Sequence, residues 1–239
     1  VMIRRRKEDV LKDLPAKVFS TMPFEINNSK DYRKAERDFI QYIKEKKGDE
    51  AANRVGNAEA LTKIGELKRL AAQGKLKQAK DWIRNFLDSN GKLVVFAVHK
   101  DIINELMNEF SDKAVRVDGS VSGTKREEAV NKFQNDDNVR LFVGNVQAAG
   151  VGLTLTAASS VAFLELPWTP GELQQAEDRC HRIGQKESVN VYYLIADGTI
   201  EEQLARLIDK KRKVLDSVLD GKESDESSML SELIEEYKS

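Results

Sequence analysis

Cysteine is almost absent from this sequence: Cys180 stands alone among 239 residues, so no internal disulfide can form. With only His99 and His181 beside it, no four-ligand zinc set can be assembled either. Long apolar runs are missing too. None approaches the roughly 18–20 residues needed to span a bilayer, and the start, Val1-Met2-Ile3-Arg4-Arg5-Arg6, lacks the apolar region of a signal peptide. Nor does charge of one sign dominate, since 39 Lys and Arg face 40 Asp and Glu for a net charge of −1. No global basic field therefore advertises nucleic acid, and any such contact must come from local clusters. A metal-free intracellular domain is expected, with a chain long enough for one good core plus helical additions.

The most consequential absence is a phosphate-binding loop. Gly-x-x-x-x-Gly-Lys-Ser/Thr occurs nowhere, and Gly144 to Gly150 has the wrong spacing and no lysine. No Asp-Glu pair follows a strand in the manner of a magnesium-holding box. Yet Gln175-Ala-Glu-Asp-Arg-Cys-His-Arg-Ile-Gly-Gln185 carries two arginines, Arg179 and Arg182, three apart. The segment reads as a helix capped by Thr169, with Pro170 in its first position, Glu172 completing a capping box and Gly184 ending it. Residues three apart share a helical face, so both guanidinium groups can converge on one anion. That is arginine-finger geometry, which stabilises charge developing on a transferred phosphoryl group. The plainer alternative is an exposed helix whose arginines pair with Glu172, Glu177 and Asp178. A finger without a cradle implies a partner surface that supplies the phosphates, as in half of an enzyme.

Along the chain, residues 4–14 read as a short basic helix ended by Pro15, and Lys17 to Pro23 as an edge strand, where proline is tolerated. Ser29 opens a polar helix to about Lys47. Two further helices are expected, roughly Ala58 to Ala72 and Leu76 to Ser89, separated by Gly74. From Lys92 strands and helices alternate, with strands at Leu93–Val98, Ala114–Val117, Val139–Val143, Val161–Leu164 and Val189–Ile195. Apolar strands separated by helices imply a parallel sheet covered on both faces, with ligands at the carboxyl ends of the strands, where each motif is expected to fall. Thr199-Ile-Glu-Glu202 caps a last amphipathic helix. Its Lys210-Lys211-Arg212-Lys213 run is either a solvated face favoured by the helix dipole or a DNA contact. Gly221 to Ser228 reads as an acidic linker before a weak terminal helix.

Taken together, Lys92 to Gln203 resembles the second RecA-like lobe of a Swi/Snf-type superfamily-two ATPase, nearest the annealing-helicase branch. The Arg-Ile-Gly-Gln ending resembles the last motif of that group, and Arg-Arg-x-Lys-x-Asp-Val…Leu-Pro-x-Lys resembles its inter-lobe link. Val98-His99-Lys100 lies at the fourth motif, and Val117-Asp118-Gly119-Ser120 matches the next. Asn145-Val-Gln-Ala-Ala-Gly150-Val-Gly152 resembles the fifth motif, with Asn145-Val146 replacing the usual Ser-Thr and so removing a threonine hydroxyl expected on phosphate. Glu165-Leu-Pro-Trp168-Thr-Pro170 matches the Trp-Asn-Pro element.

The resemblance implies an α/β RecA-like three-layer fold with a mostly parallel central sheet and an N-terminal helical insertion. Residues 1–27 would be inter-lobe linker and edge strand, 28–90 the insertion (or a plain helical cap on the sheet), 91–219 the lobe and 220–239 an acidic tail. It implies the C-terminal motor lobe of an ATP-dependent double-stranded DNA translocase. Arg179 and Arg182 would reach the β- and γ-phosphates, and Gly150, Gly152 and Gln185 would lie at the nucleotide. Lys100, Gly119, Ser120, Asn145 and Trp168 would meet the DNA, Trp168 stacking or wedging without reading sequence. ATP and Mg2+ would be held mainly by an N-terminal RecA-like lobe of the same polypeptide, with no membrane partner. Because the sequence starts at Val1 inside an inter-lobe pattern, a truncated polypeptide is expected. Its place would be the cytoplasm or nucleoid of a prokaryote, or the nucleus of a eukaryote. The competing reading is a non-catalytic DNA- or protein-binding module derived from such a lobe.

Overall fold

The computed structural model describes residues 14–45, 53–89, 91–149, 152–217 and 226–238. The basic helix read before Leu14, Gly150, and the polar stretch 218–225 lie outside these residues. Six strands form one sheet: β1 (Lys17–Phe24), β2 (Leu93–Ala97), β3 (Ala114–Val117), β4 (Leu141–Asn145), β5 (Ser160–Phe163) and β6 (Val189–Ala196). Their order is β1-β6-β5-β2-β4-β3 and every pairing is parallel. A parallel neighbour needs a crossover, which α3 (Lys100–Glu109), α4 (Gly123–Asn135), α5 (Val146–Ala149) and α6 (Pro170–Glu177) provide. The remaining helices are α1 (Ser29–Glu45), α2 (Asn53–Ser89), α7 (Ile200–Ser217) and α8 (Glu226–Lys238).

Side chains alternate across a strand, and here both faces are buried. Val94, Phe96, Phe142, Val161, Phe163 and Val191 enter one apolar cluster with residues of α1, α6, α7 and α8. Leu93, Val95, Ala97, Leu141, Val143 and Leu194 enter the other, against α2 and α3. This is the three-layer arrangement of a RecA-like lobe. β1 is an edge strand as its proline implied, pairing Lys17 with Val189 through Phe24 with Ala196.

The two helices expected on either side of Gly74 are one. Helix α2 runs 37 residues without interruption, roughly 55 Å at 1.5 Å per residue. Its Ala60, Ile64, Leu67 and Ala71 pack in the first cluster, and Ala72, Leu76, Ala79 and Ile83 in the second. Gly74 serves close approach rather than a break. A Cβ there would meet Asn28 Oδ1 at 2.1 Å and Ile26 Cβ at 2.7 Å. The chain before α1 lies against the helix at this point, with Asn27 N–H donating to the Gly74 carbonyl at 3.1 Å and Asn28 Nδ2 to that of Leu70 at 2.8 Å.

The C-terminal helix α8 is docked, burying Met229, Leu230 and Leu233 and setting Tyr237 edge-on to Phe39 at 5.2 Å. Of the basic run of α7, Lys211 joins this packing, bonding Ser228 at 2.8 Å and Glu232 at 2.5 Å, while Lys210 and Lys213 are exposed. Arg212 turns inward instead, to Glu177. Among the described residues no helix is long and apolar enough to cross a membrane.

Two glycines of the same helix give opposite expectations. Gly74→Ala forces the Ile26–Asn28 segment away and should cost about 1–3 kcal/mol, as overpacking does. Gly65 has open space around its Cβ position, so Gly65→Ala should stabilise by roughly 0.5–1 kcal/mol through helix propensity. Urea unfolding midpoints of the two variants check both signs.

Candidate functional site

The capping box at the start of α6 forms as the sequence implied. Thr169 Oγ1 accepts from the Glu172 amide at 3.2 Å, the Glu172 carboxylate accepts from the Thr169 amide at 3.2 Å, and Pro170 follows the cap. The far end differs from expectation. Helix α6 stops at Glu177, and Arg179 and Arg182 lie in successive turns beyond it, not on one helical face. The cause is tertiary. The Arg179 carbonyl accepts from Leu155 N–H at 2.9 Å, across to the preceding loop. Glu177 and Asp178, consecutive and so about 100° apart on a helix, both accept from Lys17 Nζ, at 2.9 and 3.0 Å. Gly184, at φ +103°, takes the left-handed conformation that closes the turn.

The two side chains nevertheless interact electrostatically. Burial, together with the positive charge of Arg182, lowers the pKa of Arg179, against a smaller opposite pull from Asp178. Arg182 is exposed, 3.5 Å from the Leu153 carbonyl. Gln185 is not presented to a ligand. Its amide nitrogen donates to the carbonyls of Ala158 at 2.9 Å and of Thr156 and Cys180 at 3.3 Å each, while its oxygen accepts from Lys186 and Glu187 amides. It fastens the arginine turn to the 153–158 loop from behind. Gly152 lies exposed in that loop at φ +69°, and its partner glycine, Gly150, falls outside the described residues.

The residues assigned to DNA follow the carboxyl ends of the strands: Lys100 and Trp168 after β2 and β5, Gly119 and Ser120 after β3, and Asn145 at the end of β4. The arginines do not, which corrects the expectation that every motif falls there. Their turn leads back to the start of β6 and touches the starts of β1 and β5 through Lys17, Leu155 and Gln185. The two groups of candidate residues thus lie on separate faces of the lobe.

On the strand-end face several expected contacts are internal. Both donors of Ser120, amide and hydroxyl, go to Asp118 Oδ1 at 2.9 and 2.5 Å, and Arg116 grips the other oxygen of that carboxylate. Asn145 bridges the Val98 carbonyl at 2.8 Å and the Gln147 amide at 2.9 Å. Trp168 is half-buried against the core, with Lys68 Nζ 4.5 Å from its ring centre. Lys100 and Gly119 are exposed.

Sequence reasoning missed the carboxylate that organises this face. Glu165, fully buried, accepts from the Val98 and His99 amides at 2.8 Å each and pairs with His99 Nδ1. Burial pushes its carboxyl up, but the His99 contacts and the two amides outweigh this and hold it below the usual range. Asp118 behaves alike, with Ser120 and Arg116 overcoming burial. The available signal was a lone acid within the apolar run Val161–Leu166, since such an acid is rarely buried unless paired. Among the described residues no group of three His, Cys, Asp or Glu could hold a metal ion.

Relatives agree with this architecture. The family described as helicase conserved C-terminal domain matches residues 74–184. A human protein named DNA annealing helicase and endonuclease ZRANB3 is 39% identical over 230 residues, covering 93% of this chain and 21% of that protein. A Caenorhabditis elegans homolog of SWI/SNF-related matrix-associated actin-dependent regulator of chromatin subfamily A-like protein 1 is 36% identical, covering 91% of this chain and 31% of its own. The Sulfolobus solfataricus SWI2/SNF2 ATPase core in complex with double-stranded DNA superposes with a TM-score of 0.72 at 24% identity, covering 99% of this chain and 53% of that one. The fold and the matched region define a helicase C-terminal domain, one RecA-like lobe of a superfamily-two motor. Along nearly its whole length the chain is similar to Swi/Snf-type proteins near the annealing-helicase branch, in the position of their second lobe. It spans only a fifth to a third of the length of these two relatives.

Glu165 and Asp118 titrate lower folded than unfolded, so their stabilisation is complete above the ordinary carboxylate range and disappears as pH falls through the depressed values. Glu165→Gln should lower the melting temperature near neutrality and flatten its decline below about pH 5. An acid limb parallel to that of the wild type would contradict this account.

Proposed function

We propose that the chain is the finger-bearing motor lobe of an ATP-dependent double-stranded DNA translocase, closing on a P-loop lobe of the same polypeptide. The observation that carries this reading is the arginine turn. Two arginines, one half-buried and one exposed, stand on a turn fixed by Leu155, Gln185 and Lys17. Preorganised cations of this kind cost no reorganisation when negative charge develops beside them. Arg179 and Arg182 fit the phosphates of a nucleotide held opposite, and the exposed Gly152 lets the neighbouring backbone approach. ATP, with Mg2+ held by the opposing lobe, supplies the transferable phosphoryl group.

Lys100, Gly119, Ser120, Asn145 and Trp168 belong to the DNA side. Lys100 is placed for a phosphate, Gly119 leaves the backbone open to close approach, and the rim of Trp168 offers an apolar surface to the duplex. Ser120 and Asn145 act by shaping their loops, since the donors they present are turned to Asp118 and Val98. Such contacts are to the DNA backbone, so binding is sequence-independent and falls steeply with salt. The Sulfolobus core, alike in fold, is in complex with double-stranded DNA, which supports a DNA-binding reading.

The test is ATP turnover of the complete polypeptide with and without duplex DNA. DNA-stimulated turnover should fall by about 10³-fold or more in Arg182→Ala, while the isolated lobe turns over essentially no ATP. Unchanged turnover in the variant would favour a binding module instead.

A further inference from the structure

The arginine turn is held by the very segment that would lead to the other lobe. Lys17 Nζ reaches across to Glu177 at 2.9 Å and Asp178 at 3.0 Å. Two residues earlier, the Pro15 carbonyl lies 2.7 Å from His181 Nε2. A proline carbonyl can only accept, so Nε2 donates. Between them the Ala16 carbonyl accepts from Val189 N–H at 2.9 Å, just beyond the turn. Residues 15, 16 and 17 therefore each bond a different point around the stretch that carries Arg179 and Arg182.

We propose that Pro15–Lys17 is a clamp that sets the position of the arginine turn, with Lys17 as its principal positioning residue, so that the segment entering β1 is coupled directly to Arg179 and Arg182. This rests on the translocase reading above. Glu177 is the anchor: almost wholly buried, it also accepts from Arg212 at 2.5 Å and from Tyr193 at 3.2 Å. The anchor is thus fixed to the body of the lobe through β6 and α7, while Lys17 arrives from the linker side. Lys17 is the movable bond of the set, because its loss leaves Glu177 with two partners and Asp178 partly exposed to water. The lobe should remain folded while the turn loses its register. Small displacements suffice, since misplacing a catalytic group by about 1 Å can cost on the order of 100-fold.

The experiment uses the complete polypeptide with duplex DNA and compares Lys17→Met, Lys17→Arg and Arg182→Ala, singly and as the Lys17→Met/Arg182→Ala double variant. Lys17→Met should lower kcat for ATP by about tenfold or more, with KM for ATP, DNA affinity and melting temperature close to wild type. Lys17→Arg, which restores the charge, should recover most of the loss. In the Arg182→Ala background, followed under single-turnover conditions, Lys17→Met should cost much less than it does alone, because it acts through the arginines and only Arg179 remains. Lys17→Met turnover within twofold of wild type overturns the clamp, as do losses from Lys17→Met and Arg182→Ala that multiply independently. Collapse in Arg182→Ala alone would leave the translocase reading standing in either case, whereas an unaffected Arg182→Ala would remove both.

Discussion

A wholly parallel sheet must be covered on both faces, and much of this molecule follows from that requirement. Each of the inner strands feeds its side chains alternately into two apolar clusters, and helices must cross from one sheet end to the other to keep the strands parallel. Helix α2 answers the requirement in an unusual way, giving its first half to one cluster and its second half to the other. The crossings also sort the loops. Those after the strands form one face, and those returning before the next strand form another. The assigned DNA residues and the arginine pair are divided by that sorting.

Burial on this scale leaves little water to solvate polar groups, and three buried glutamates, each at a junction, show how the chain manages it. Glu165 binds the amides of Val98 and His99, joining the ends of β2 and β5. Glu177 joins α6 to β1, β6 and α7 through Lys17, Tyr193 and Arg212. Glu201 pairs with Lys75 and accepts from the Ala196 amide at 2.7 Å, joining α7 to α2 and β6. Removing the last cationic partner of such a carboxylate strands a charge in the interior, which typically costs about 3–5 kcal/mol, whereas Glu177 keeps Arg212 if Lys17 is lost. Each therefore fixes a junction more rigidly than an apolar contact of equal area, because it specifies direction as well as proximity.

What the sequence made legible is what depends on neighbours along the chain. The strands declare themselves as short apolar runs, and α6 begins where Thr169, Pro170 and Glu172 say it does. What was not legible depends on residues far away. Nothing local announces that α6 ends at Glu177, since its terminators are Leu155 and Lys17. Gly74 was read as a breaker because a glycine's cost in a helix is visible locally, whereas its benefit, room for Ile26 and Asn28, is not. Gln185 completes a motif associated with nucleotide, and five carbonyl or amide groups of its own lobe occupy its side chain. A motif records that a residue is needed, not whether it faces the ligand or holds the residue that does.

Besides helix α6, which leads from Trp168 to Arg179, a second short path joins the two faces. Asn145 is fixed at the strand-end face by Val98, whose amide is itself held by Glu165. From there the chain passes through α5 and the exposed Gly152 to Leu155, which is bonded to Arg179. Both ends are held by hydrogen bonds, and in the described part of the path Gly152 lies in left-handed backbone with open space about its Cβ position, where glycine is the permissive residue. A linkage with anchored ends and one permissive residue transmits displacement without requiring the sheet between the faces to deform. Since the sheet is close-packed on both sides and resists deformation, motion that relates the arginine turn to the DNA face must run along connections of this kind, outside the sheet.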